Sequence, residues 1–116
     1  MNKRKIKMID GVEIHAGSGN VYADLGYPNA GEMLIKARLV AKIAEIARTR
    51  GLTQAQTAKL LGLTQPKVSA LFRGQFRGIS ERKLIECLTN LGRDVQIVVK
   101  DVPRRRATGK LTVVFA

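Results

Sequence analysis

The chain has 116 residues and a formal net charge of +12, from 21 Lys and Arg against 9 Asp and Glu. At roughly 100 to 200 residues per domain that is one domain with tails, and such a surplus on a small body implies a polyanionic partner, nucleic acid before an anionic membrane face. Apolar types at 45% and charged types at 26% fit a packed globular fold rather than disorder. Cys87 and His15 are each the only residue of their kind, so an internal disulfide is excluded and a Cys/His metal site or a histidine-based catalytic pair is unsupported.

The expectation is therefore a non-enzymatic chain without cofactor or metal, in a reducing cytoplasm. No run nears 18 consecutive apolar residues, and the basic start Lys3, Arg4, Lys5, Lys7 meets Asp10 after only Met8 and Ile9. That is no export signal core and no membrane span.

Residues 1–29 read as an extended N-terminal arm. Gly11, Gly17, Gly19, Gly26 and Pro28 punctuate it, and Val12 and Ile14 alternate with polar neighbours as a weak strand signal only. From Glu32 to Arg50, Met33, Ala37, Val40, Ala44 and Ala47, flanked by Ile43 and Ile46, recur at helical spacing. A long amphipathic helix follows, with Asn29 as its cap and Gly51 at its left-handed end. Two short helical patterns come next, Gln54 to Leu61 and Gln65 to Arg73, preceded by Thr53 and Thr64 as caps and separated by Gly62-Leu63-Thr64. Gly74 closes the second. Ser80, Glu81, Leu84, Ile85, Leu88 and Leu91 predict a fourth helix ending at Gly92.

Beyond Gly92 the period becomes two. Val95, Ile97 and Val99 alternate with Gln96 and Lys100, a strand signal, and Leu111 to Phe115 predicts a second strand. Pro103, Arg104, Arg105, Arg106 and Gly109 form a basic loop too long for a tight hairpin, so pairing within the chain or across a dimer is left open. A lone strand with apolar residues on both faces would expose too much, which makes Val95, Ile97, Val98 and Val99 the expected dimer seam. The division is thus an arm at 1–29, a helical unit at 30–92 and C-terminal dimerisation strands at 93–116.

Two short helices joined by a Gly-containing turn are the helix-turn-helix signature. Ala58 suits the close approach of the two backbones, and Gly62 suits a turn position with positive φ. Leu61, Leu63, Val68 and Leu71 face inward on this reading. Gln65, Lys67, Ser69, Ala70 and Arg73 are left on the outer side or ends of the second helix.

The run Leu52-Thr53-Gln54-Ala55-Gln56-Thr57-Ala58-Lys59-Leu60-Leu61-Gly62-Leu63-Thr64-Gln65-Pro66-Lys67-Val68-Ser69 resembles the XRE (Cro/C1-type) family of phage and bacterial repressors. Gly19 to Gly26, Phe72 to Gly78 and Leu91 to Val99 resemble small HigA-like members often encoded beside a toxin. Together these segments cover roughly residues 18–100. The resemblance implies a mainly α, lambda-repressor-like bundle of about four helices, with the arm before it and one or two β-strands after it.

It also implies a dimeric, sequence-specific repressor of a double-stranded DNA operator, with a small toxin protein as an additional partner. The family docks its second short helix in the major groove. Gln65, Pro66, Lys67, Ser69 and Ala70 become the base-contacting set: Gln65 for adenine N6 and N7, Lys67 for guanine or a phosphate, and Ala70 for a thymine methyl. Pro66, in the first turn, gives up no needed N–H. Gln54 matches the family's phosphate-gripping position at a helix N-terminus. With Thr53, Thr64, Arg73 and Arg77 it makes the phosphate-contacting set.

A toxin would be held away from this helix, and the arm, with Val12, Ile14, Val21, Tyr22, Leu25 and Tyr27, is the candidate segment. The alternatives are a stand-alone XRE regulator without a toxin, and a basic RNA-binding protein. An RNA-cleaving version of the last is disfavoured because such an enzyme needs positioned acid/base groups, and no His, Tyr or carboxylate cluster stands with the basic residues. Arg104 to Arg106 read as a solvated loop and Cys87 as a small core residue.

Overall fold

The computed structural model describes residues 29–116, Leu25, Gly26 and the backbone of residues 7–9 and 12–14. In the arm, β1 (Lys7–Ile9) and β2 (Val12–Ile14) pair antiparallel, with Lys7 opposite Ile14, Met8 opposite Glu13 and Ile9 opposite Val12. A hairpin thus replaces the single weak strand expected there. Asp10-Gly11 between the strands is the strongest short hairpin dipeptide, a signal that glycine punctuation alone does not reveal. His15, Val21, Tyr22 and Tyr27, and so most of the proposed toxin-binding arm, lie outside the described residues.

Four helices follow: α1 (Ala30–Thr49), α2 (Gln54–Leu61), α3 (Gln65–Phe72) and α4 (Glu81–Asn90). Asn29 stands at the N-cap of α1, but its side chain makes no capping hydrogen bond. The other end behaves as expected: Gly51 takes φ 66° and Leu52 N–H returns to the Ala47 carbonyl at 2.9 Å, the left-handed closure that glycine makes cheapest.

The helices share one core. Ile43 of α1, Leu61 of α2, Val68 of α3 and Leu84 and Cys87 of α4 have no exposed surface, and burying each of the four aliphatic side chains contributes about 1.5–3 kcal/mol. Ile35 and Leu39 are buried as well, so the inward face of α1 is wider than its most regular apolar spacing suggests. Burial raises the pKa of the Cys87 thiol, as expected of a core residue.

Residues 93–116 do not form the two expected strands. The chain leaves α4 through Gly92 at φ 86°, with Arg93 N–H donating to the Leu88 carbonyl at 3.1 Å, and then runs exposed, with neither helix nor strand. A turn closes at Arg106, whose N–H meets the Pro103 carbonyl at 2.9 Å. The final segment is captured by α1 instead of by its neighbour: Arg38 Nη1 donates to the Val113 carbonyl at 2.8 Å, Val113 packs against the core, and Lys42 Nζ lies 5.1 Å from the centre of the Phe115 ring. With the Val113 carbonyl turned to Arg38, no ladder forms between the two halves of the tail, and period-two patterning alone does not make a sheet.

Candidate nucleic-acid interface

The two short helices are fixed locally, cap by cap. Thr53 Oγ1 accepts from Gln56 N–H at 3.1 Å while Gln56 Oε1 accepts from Thr53 N–H at 2.9 Å, a reciprocal capping box that satisfies two end donors of α2. Gly62 ends α2 at φ 69°, and Leu63 N–H closes onto the Ala58 carbonyl at 3.0 Å. Thr64 Oγ1 then accepts from Lys67 N–H at 3.3 Å to open α3. Ala58 is buried where α2 meets α3, consistent with a close helix approach.

On α3 the buried positions are Val68 and Leu71. Gln65, Pro66 and Lys67 are exposed in its first turn, Ser69 and Ala70 are half-buried behind them, and Arg73 is exposed at the C-cap. Gln65, Ser69 and Arg73, spaced i, i+4 and i+8, share one strip of the helix. Arg73 Nη1 donates to Ser69 Oγ at 2.5 Å, so the guanidinium is drawn back along α3 and the serine hydroxyl is already engaged as an acceptor. Of the base-contacting set, the structure therefore presents Gln65, Pro66 and Lys67 openly and holds Ser69 in an internal pair.

Thr53, Thr64 and Gln54 stand exposed at the starts of α2 and α3. Capping uses an acceptor lone pair of each threonine and leaves its hydroxyl proton to donate, the polarity a phosphate oxygen requires. Arg77 is exposed in the loop after α3. Lys36, buried on α1, sets that loop: its Nζ donates to the Arg77 carbonyl at 3.0 Å and pairs with Glu32 at 3.3 Å. Phe76 is buried beside it in the same loop. Sequence periodicity misses Lys36, because a lysine in an amphipathic helix ordinarily belongs to the solvated face; its only local signal is Glu32 at i−4.

Charge sign completes the surface. Between Glu45 and Glu81 there is no acidic residue, while Arg48, Arg50, Lys59, Lys67, Arg73 and Arg77 all fall there, and all six are exposed. Both helix-turn-helix elements therefore sit in a purely cationic stretch, which net charge by segment conceals. On α1 and α4 some basic residues do have acidic partners: Lys83 pairs with Glu86 at 2.8 Å, a contact that raises the lysine pKa and lowers that of the glutamate. No group of three or more His, Cys, Asp or Glu among the described residues is arranged to hold a metal ion.

This geometry has known relatives. A family profile described as a helix-turn-helix domain matches residues 21–100. A solved structure assigned to the XRE family of transcriptional regulators is 39% identical, with a TM-score of 0.72, and the match covers 77% of this chain and 100% of that one. No curated protein matches the chain. A profile match over most of the sequence, a solved relative of this identity and the capped α2–turn–α3 unit agree: the chain belongs to the XRE-type helix-turn-helix family.

Proposed function

We propose that the chain is a dimeric, sequence-specific repressor that reads duplex DNA with α3 in the major groove. The observation that carries this reading is the first turn of α3. Gln65, Pro66 and Lys67 project from a helix whose opposite face is locked by Val68 and Leu71, inside a stretch free of acidic residues. Gln65 is the adenine reader and Lys67 reads guanine or steadies a phosphate, with Ala70 behind them for a thymine methyl. Thr53, Gln54, Thr64, Arg73 and Arg77 grip the backbone on either side. One such helix spans too few base pairs for specificity, so two copies engage half-sites roughly 34 Å apart, joined through the segment Val95 to Val99. The division into arm, helical reader at 30–92 and dimerising tail at 93–116 belongs to the same proposal.

The toxin-neutralising role implied by the HigA-like resemblance rests on that resemblance alone. A charge of +12 is the wrong sign for holding a basic toxin. No helix of the described residues is long and apolar enough to cross a membrane.

The test is a salt titration of binding to a duplex selected from random sequence. Log K should fall with log salt at a slope near −0.9 per phosphate neutralised; a flat dependence overturns the reading. On the selected duplex, Gln65→Ala should cost about 1–3 kcal/mol and relax preference at one base pair, whereas Arg73→Ala should weaken all duplexes alike. Uniform loss in both variants would take the base-reading role away from Gln65.

A further inference from the structure

We propose that residues 93–101 pair with the same residues of a second copy, as an antiparallel strand pair centred on Ile97 whose register is selected by charge. This rests on the dimeric reading above and adds to it the geometry of the seam and the rule by which a partner is accepted. The segment reads Arg93-Asp94-Val95-Gln96-Ile97-Val98-Val99-Lys100-Asp101. Two-fold pairing about Ile97 places Val95 opposite Val99, Gln96 opposite Val98, Asp94 opposite Lys100 and Arg93 opposite Asp101. Each of these pairs occurs twice by symmetry. Opposite charges thus meet at four places, and a continuous apolar row of Val95, Ile97 and Val99 from both copies lies on one face, the arrangement that stabilises antiparallel pairs.

No neighbouring register does this. Sliding one residue in one direction sets Asp94 against Asp101 and Val95 against Lys100; sliding the other way sets Arg93 against Lys100. Both slips oppose like charges and break the apolar row. Sliding by two residues lays Asp101 on Val95 or Arg93 on Val99. The charge order therefore admits one register and penalises the rest, and a foreign strand lacking the same order meets the same penalty.

The structure leaves this segment ready for such a partner. Ile97, Val98 and Val99 are 84%, 73% and 90% exposed, in a segment without helix or strand that makes no backbone hydrogen bond to the described residues between 94 and 101. Arg93, Asp94, Lys100 and Asp101 are exposed, and none has an ion-pair partner among the described residues. The segment's internal counterpart does not pair with it among the described residues: the Val113 carbonyl is taken by Arg38, Val113 packs on the core and Lys42 lies beside the Phe115 ring. Gly92 and the Arg93 N–H bond to the Leu88 carbonyl anchor the start of the segment to the end of α4, so its exposed apolar residues are offered to a partner from a fixed point.

The experiment is sedimentation of the full chain without DNA, so that DNA recognition does not enter the outcome. D94K and K100D each replace two attractive cross-strand pairs with two repulsive ones and should weaken dimerisation roughly tenfold to thirtyfold. Both sites are exposed, so helix content should stay at the wild-type value and the melting temperature should fall no further than the weakened association accounts for. The double variant D94K/K100D should recover the wild-type association constant to within about threefold. A one-to-one mixture of the two single variants should form a heterodimer, since each strand then finds the opposite charge on the other copy.

A wild-type chain that stays monomeric throughout would overturn the dimeric reading itself. A wild-type dimer that is indifferent to both reversals, or reversals that neither the double variant nor mixing repairs, would overturn the register and leave dimerisation standing.

Discussion

Gly62 shows how little of a binding motif needs to be chemically active. Its φ of 69° is a conformation that a side chain makes costly, yet a Cβ there would meet nothing nearer than Lys83 Nζ at 3.9 Å. The cost of Gly62→Ala is therefore backbone strain without a clash, about 1–2 kcal/mol. Thermal unfolding should show a fall of several degrees, on the order of 4–8 °C per kcal/mol for a domain of this size, with native helix content retained below the transition. An unchanged melting temperature would mean that the turn relaxes without the left-handed residue. Cys87 illustrates the opposite case: a reactive group made inert by position. Desolvation raises its thiol pKa and no part of its surface is exposed, so its place in the core gives it a packing role.

At the scale of elements, Lys36 links α1 to the loop that carries Arg77. Lys36→Ala removes a buried four-carbon stem together with the donor to the Arg77 carbonyl, and should cost about 1–3 kcal/mol in urea unfolding. Lys36→Met keeps most of the volume and should recover most of that loss; equal destabilisation by both would assign the effect to the ammonium alone. This link also marks the boundary of what the sequence discloses. The limits of α2 and α3 were legible because capping is a local affair between Thr53 and Gln56, Thr64 and Lys67, and Gly62 and its neighbours. The exposure of Gln65 and Lys67, the proposed readers, followed from the same periodicity that buries Val68 and Leu71. Three features were not legible, and each depends on contacts distant in sequence or on competition between segments. Lys36 reaches forty-one positions along the chain, and Arg38 reaches seventy-five to Val113. The segment Val95 to Val99 has strand patterning but no ladder, because α1 captures what would have paired with it. Asp10-Gly11 was readable, since it advertises the hairpin directly.

For the whole molecule, the tail does two separable things: residues 93–101 are the proposed seam, and residues 113–115 cover part of α1. Two truncations separate them. A chain ending at Gly92 should be monomeric, keep its four helices and lose operator affinity by about 10²–10⁴, the advantage of linking two half-site readers. A chain ending at Val102 should still dimerise and hold the operator, although both shortened chains melt lower than the full one because Val113 and the Arg38 hydrogen bond are gone. Dimerisation by the shorter chain in sedimentation would move the interface to the helices; failure of the longer one would place it in residues 103–116. The same pair of chains decides the role of Arg104, Arg105, Arg106 and Lys110. If that basic loop is only solvated, the chain ending at Val102 keeps the salt slope of the full protein, whereas each phosphate the loop engages would reduce the slope by about 0.9. We expect the slope to be kept, because the cationic stretch between Glu45 and Glu81 already brings Lys59, Lys67 and Arg73 to α2, α3 and the end of the proposed reading helix, and these charges are carried on capped helices instead of an exposed turn.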